Sequence, residues 1–284
     1  MKNVELTSFL MELMRNVGTN IVMPKFRSVS ELEISEKSHK TDLVTEVDLA
    51  SEDYLTKSIL SKMPNSIIVG EEAVSKDQSV LDDLSLKNKY IFVIDPIDGT
   101  YCFAKGLSTF GIIISVIYNG EVVVGLHYDP VNDDFIVSER GSGAEYINSS
   151  GERKRLTISK NYDLSEMNGF VPYYIFSYKF GRKVAENILK KFLEFERVNS
   201  LRCSLHEYNQ MCFANAEFSL STHTNIWDHG AGQLMLSECG GVSGILGEGV
   251  SKFKPYGNSG FLLSANSQDV WYKINDIFLS AIKS

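Results

Sequence analysis

Three short strings in this 284-residue sequence carry residue types that could act together on one substrate. Gly70-Glu71-Glu72 and Asp95-Pro96-Ile97-Asp98-Gly99-Thr100 each follow an apolar run, and Trp227-Asp228-His229-Gly230-Ala231-Gly232 opens a small-residue stretch. The segment from Lys40 to Asp48 adds Asp42 and Asp48. Carboxylates gathered at strand ends repel one another unless a cation neutralises them. Oxygen-only donors suit a hard divalent ion, Mg2+ or Mn2+, rather than zinc or copper. In the 95–100 string, two aspartates three residues apart in a turn can each reach a metal from one side. Pro96 stiffens that turn. Gly99 lets the backbone approach a phosphate closely, and Thr100 offers a hydroxyl and an amide to an anion. Taken singly, the strings also read as ordinary local structure: a strand-end turn, an Asp228 helix cap and a surface glutamate pair. Their joint occurrence is what points to a site.

The elements that position these strings can be read from periodicity. Leu6, Phe9, Leu10, Leu13, Met14, Val17 and Ile21 recur at helical spacing. A second helix follows Asp48, with Tyr54, Leu55, Ile59 and Leu60 on its apolar face, and ends at Pro64-Asn65. Ser66 to Val69 reads as a short strand and residues 73–88 as a polar surface excursion. Tyr90 to Ile94 is a continuous apolar run, as in a strand covered on both faces; Pro96 should stop it. Asn119-Gly120 between apolar runs predicts a two-residue hairpin. Further strands are expected at 134–139, 144–147 and 155–159. The second half alternates: helix 182–195, strand 197–202, helix 204–215, strand 217–222. A helix then begins at Asp228 and stops at Gly240-Gly241, and two short strands and a final helix (270–282) follow. The pattern predicts layered sheets and helices.

Composition excludes several classes. With 43% hydrophobic and 23% charged residues the chain is globular rather than disordered. A net charge of −8 argues against nucleic-acid backbone as the main partner. The four cysteines form no C-x-x-C pair, so reduced, buried thiols in a cytoplasmic protein are expected. The N-terminal stretch is too charged for a signal peptide, and the apolar run 110–118 is too short to span a bilayer, so no membrane role is expected.

Gly70-Glu71-Glu72, Asp95-Pro96-Ile97-Asp98-Gly99-Thr100 and Trp227-Asp228 through Gly232 stand in the order and spacing of the inositol monophosphatase family. Asp42-Leu43-Val44-Thr45 through Asp48 also resembles that family's segment, and the resemblance spans roughly residues 5–280. It implies an αβαβα sandwich of the sugar-phosphatase type: a single domain over 1–284, built of two tightly packed halves with a boundary near 150–180. It also implies a Mg2+-dependent, lithium-sensitive phosphomonoesterase, a homodimer with two or three metals per site, Mn2+ being an alternative ion. Carried over by position, Glu71, Asp95, the Ile97 carbonyl, Asp98 and Asp228 are metal ligands. Thr100, held by Asp48, and Glu71 orient a water that attacks phosphorus in line. Asp98, Asp228 and the Gly99 and Thr100 amides meet the substrate.

The sequence departs from the family at the leaving-group side. The inositol enzymes place a glutamate seven residues before the Asp of the W-D motif; here that position is Ser221. Where they carry small residues ahead of the next helix, this chain has Leu201-Arg202-Cys203-Ser204, so Arg202 and Ser204 join Ser221 as candidate substrate contacts. His229 is a pocket residue or a structural one, and His206 and Tyr208 are packing. Arg153-Lys154-Arg155 is a solvated turn. Inositol 1-phosphate is the default substrate, with histidinol phosphate, fructose 1,6-bisphosphate and 3′-phosphoadenosine 5′-phosphate as alternatives. Two other classes remain: an aspartyl-phosphate phosphatase of the haloacid-dehalogenase type, and a non-catalytic metal-binding regulator on the same fold.

Overall fold

The computed structural model describes residues 3–28, 34–36, 43–158, 163–172, 181–250 and 260–283. Asp42 lies outside them. Two large sheets dominate, together with a small antiparallel pair, Ile34–Glu36 with Leu43–Thr45. The seven-stranded sheet runs Ile67–Gly70, Tyr90–Asp98, Gly111–Tyr118, Glu121–Asp129, Asp134–Glu139, Gly143–Ile147 and Arg153–Leu156. Its first pair is parallel and the rest are antiparallel. The six-stranded sheet runs Arg197–Asn199, Asn168–Phe170, Phe218–Ser221, Leu262–Ala265, Val242–Ile245 and Gly249–Val250.

Helices pack on both faces of each large sheet. Asn3–Val17 and Glu46–Lys62 pack on the outer face of the seven-stranded sheet, through Leu10, Met14, Leu55 and Ile59 against Phe92, Ile94, Ile112 and Ile114. Ser204–Cys212 and Ile226–Cys239 lie between the sheets, where Leu205, Met211, Ala231 and Met235 meet Ile113 and Ile136. Arg182–Phe192 and Gln268–Lys283 close the far side over Phe218, Leu220 and Leu263, with Trp271 fully buried. The layering is therefore αβαβα, the expected architecture.

Several local readings needed the third dimension. The strand from Tyr90 does not stop at Pro96; it continues to Asp98 across a register shift between Asp95 and Asp98. An irregularity of this kind is where a sheet tolerates the missing N–H of proline. On the Glu46–Lys62 helix, Tyr54 is 42% exposed instead of facing the core. The buried stripe is Val47, Asp48, Ser51, Glu52, Leu55 and Ile59, because polar side chains take inward positions toward the strand ends. Arg153-Lys154-Arg155 is the exposed edge strand, not a turn, with Arg153 paired to Glu145 at 3.0 Å. Residues 73–88 take in the end of the helix Glu71–Lys76 and the 3₁₀ segment Gln78–Ser85, which bury Val74 and Leu84. Among the described residues, the segment before the last helix holds three short strands where two were expected. The Asn119-Gly120 hairpin is as read, with φ of 54° and 85°.

Candidate active site

Parallel register brings the first two strings together. Gly70 pairs with Ile94, so Glu71, the first residue after its strand, stands level with Asp95, which is still paired in the sheet with Ile113. The chain then turns through Gly99, whose φ of 84° is left-handed and where a Cβ would fall 2.7 Å from the Thr109 carbonyl oxygen. Thr100 opens the short helix Thr100–Ala104. Asp228 arrives from the middle layer. It is the third residue of Ile226–Cys239 rather than its cap, and Asn225 Nδ2 donates to its Oδ2 at 2.9 Å.

Carboxylate oxygens of Asp95, Asp98 and Asp228 lie within 4.8 Å of one another. Burial pushes Asp95 well above the usual carboxylate range, and the charges of Glu71, Asp98 and Asp228 and a hydrogen bond with Glu71 push it further. Asp228 is raised for the same first reason, helped by Asp98 and Glu71. Asp98 is raised by burial, against three donors that hold its Oδ2: Cys203 Sγ at 3.2 Å, Ser204 Oγ at 3.0 Å and Leu205 N at 2.5 Å. Buried, mutually repelling oxygen donors of this kind fit a hard divalent cation.

A second set lies beside the first. Thr45 caps the Glu46–Lys62 helix, and Asp48 Oδ2 accepts from Thr45 N at 2.8 Å and Oγ1 at 2.5 Å. Its other oxygen faces Thr100 Oγ1 at 3.3 Å, while that hydroxyl lies 2.9 Å from the Ile97 carbonyl. Ile97 N donates to Asp95 Oδ1 at 3.1 Å, which ties the turn to the cluster. Desolvation raises Asp48 to about 7.

Arg202 sits at a left-handed φ of 57° with its guanidinium 3.8 Å from the centre of the Tyr101 ring, the residue after Thr100. Ser204 reaches Asp98, as above. Ser221 Oγ accepts from His223 N at 3.2 Å. His229 is a core histidine: it is 4% exposed, meets Tyr208 Oη at 3.3 Å, and burial lowers it to about 3. A cleft of about 430 Å³ opens nearby, lined by Thr109, Asn168, Arg197, Leu201, His206 and Gln210, but none of the clustered carboxylates lines it.

Sequence reasoning missed two glutamates. Glu207 accepts from Ser219 Oγ at 2.8 Å and Leu201 N at 3.3 Å, beneath the loop that carries Arg202. Glu52 holds the amides of Glu72 and Ala73. The spacing of Glu52 from Asp48, one helical turn on the same face, is the signal that would have found it.

Desolvation raises both Asp48 and Glu207 to about 7 from ordinary values near 4. Between those values the folded state binds more protons than the unfolded one, so stability falls as pH rises. Metal-free protein is therefore expected to unfold at lower urea concentration at pH 8 than at pH 5, with a shallower decline in Glu207→Gln. Urea midpoints in chelator check this; a flat or rising profile would contradict it.

The layering, and three carboxylates converging beside a glycine turn, fit a metal-dependent phosphatase. The chain belongs to the inositol monophosphatase family, whose sequence model matches residues 2–272. It is 29% identical over 234 residues to the fructose-1,6-bisphosphatase/inositol-1-monophosphatase of Thermotoga maritima, covering 82% of each chain. It is 28% identical over 270 residues to Nus factor SuhB of Pasteurella multocida, covering 91% of this chain and 90% of that one. The solved Thermotoga maritima IMPase superposes with a TM-score of 0.78 at 22% identity, over 100% of this chain and 99% of that one, which shows the shared fold. The chain is thus a phosphoric monoester hydrolase, and the haloacid-dehalogenase alternative falls away. Among the described residues no helix is long and apolar enough to cross a membrane.

Proposed function

We propose that this chain hydrolyses a small phosphomonoester with Mg2+ held by Glu71, Asp95, the Ile97 carbonyl, Asp98 and Asp228. The observation that carries the reading is the convergence of Asp95, Asp98 and Asp228 within 4.8 Å on the strand end that runs into Gly99-Thr100. Bound divalent ions at such a site supply a lowered pKa for water and charge neutralisation for the attacking and leaving oxygens. Glu71 and the Thr100 hydroxyl orient the water for in-line attack, and Asp48 keeps the hydroxyl in place. The Gly99 and Thr100 amides hold the phosphate, while Ser204 fixes the Asp98 rotamer. Lithium sensitivity, homodimer formation and a cytoplasmic setting belong to the same reading, the last supported by four buried free thiols. So does the two-half division, supported by one sheet ending at Leu156 and the other beginning at Asn168.

The substrate is proposed to carry a second anionic group. Ser221 stands where a hydroxyl-binding carboxylate is absent, and losing such a charged acceptor costs about 1.5–3 kcal/mol, roughly tenfold to hundredfold in specificity constant. Arg202, stacked on Tyr101 beside Thr100, offers a guanidinium to that second anion. Inositol 1-phosphate is then hydrolysed but does not lead. The test ranks specificity constants for inositol 1-phosphate, fructose 1,6-bisphosphate, 3′-phosphoadenosine 5′-phosphate and histidinol phosphate, in wild type and Arg202→Ala. Histidinol phosphate lacks the second anion and is the control. Fructose 1,6-bisphosphate or the nucleotide should match or exceed inositol 1-phosphate and lose that rank in Arg202→Ala. An inositol 1-phosphate lead of tenfold with no change in Arg202→Ala would overturn the choice.

The likeness to Nus factor SuhB favours a second reading, a Nus-factor role carried on this fold beside its phosphatase chemistry.

A further inference from the structure

We infer that Glu52 is a positioning residue for Glu71, setting divalent-ion affinity without touching the ion; this rests on the function proposed above. Glu52 lies on the inward face of the Glu46–Lys62 helix, 9% exposed. Its Oε2 accepts the Glu72 N–H at 2.8 Å and its Oε1 the Ala73 N–H at 3.0 Å. These residues follow Glu71 in the first turn of Glu71–Lys76, where amides have no partner within the helix. A side chain at the preceding position ordinarily satisfies them, but that position is Gly70, which has none.

The cap therefore comes from another helix, and the glycine is what admits it. A Cβ at Gly70 would fall 2.2 Å from Glu52 Cδ and 2.3 Å from its Oε2. Gly70-Glu71-Glu72 thus has a physical meaning beyond the ligand it contains. The glycine lets a carboxylate in, the carboxylate clamps two successive amides, and the clamped turn fixes the direction in which Glu71 leaves the backbone. A helix N-terminus favours a negative group at this point. The same helix carries Asp48, which faces Thr100. One rigid element thereby registers both the Glu71 turn and the Thr100 turn against each other.

Groups that orient metal ligands typically cost about 10–100-fold in metal affinity or activity when changed. Glu52→Gln is close to isosteric, but its NH2 opposes one of the two backbone donors, so one hydrogen bond is lost. Wild type and Glu52→Gln are titrated with Mn2+ by calorimetry without substrate, and melting curves are recorded in chelator. The Mn2+ Kd is expected to weaken by about tenfold or more. The Mg2+ concentration for half-maximal phosphate release should rise in parallel, with the substrate KM unchanged. A merely structural role would lower the melting temperature and leave the Mn2+ Kd of the folded protein within about twofold, which overturns the inference. If Glu52→Gln does not fold, Glu52→Asp reads the same Kd, since it keeps the charge but is one methylene too short to clamp both amides. Wild type that binds Mn2+ but releases no phosphate overturns the proposed function while the Glu52 comparison still stands. Wild type that binds no Mn2+ overturns both.

Discussion

Asp98→Asn is expected to fold and to lose at least about 10²–10³ of its turnover, the range for removing one group that stabilises charge in the transition state. The two halves of that outcome have separate causes. Asp98 Oδ2 gathers donors from Cys203, Ser204 and Leu205, and an asparagine carbonyl can take the same place. The start of the Ser204–Cys212 helix is therefore kept. The variant then offers a neutral amide in place of one of the three clustered carboxylates, and an amide nitrogen can ligate no cation. Removing one of three clustered carboxylates also relieves repulsion in the metal-free state. Melting temperature in chelator should stay level or rise while turnover collapses. Near wild-type turnover at saturating Mg2+ would contradict the metal assignment.

Thr100→Ala should lower turnover by about 10²–10⁴, the range for one proton-relay or orienting group, with metal affinity unchanged. The hydroxyl has one proton and two acceptors, the Ile97 carbonyl at 2.9 Å and Asp48 at 3.3 Å. Neither contact makes it a ligand. Gly99 sets the turn independently of the Thr100 side chain, so the Thr100–Ala104 helix persists in the variant. Calorimetric Mn2+ titration beside single-substrate kinetics separates the effects. Loss of metal binding with activity intact would reverse the roles given to Thr100 and the aspartates.

What could be read from the sequence was local. Asp98-Gly99-Thr100 announces its turn because only a residue free of Cβ takes φ of 84° at no cost there. Asn119-Gly120 announces its hairpin for the same reason. The five-layer architecture followed from the family resemblance rather than from periodicity. Pro96 misled, since a strand can carry proline across a shift in register that periodicity does not encode. Tyr54 misled because the inward positions of its helix went to Asp48, Ser51 and Glu52, whose partners lie elsewhere in the chain. Glu207 was invisible for that reason too. A glutamate inside a helix reads as solvated until Ser219 and the Leu201 amide are brought over it. Arg202 was picked out by its departure from the family's small residues, yet its stacking on Tyr101 depended on a left-handed backbone that no sequence rule demanded of an arginine.

The most direct test of a metal-dependent phosphatase at Asp95, Asp98 and Asp228 is phosphate release by the purified chain. Inositol 1-phosphate and fructose 1,6-bisphosphate are supplied with Mg2+, then with excess EDTA, then with Mg2+ restored. Release is expected with Mg2+, is abolished by EDTA and returns on restoration. Release undiminished in EDTA, or none from either substrate with Mg2+ present, would contradict it.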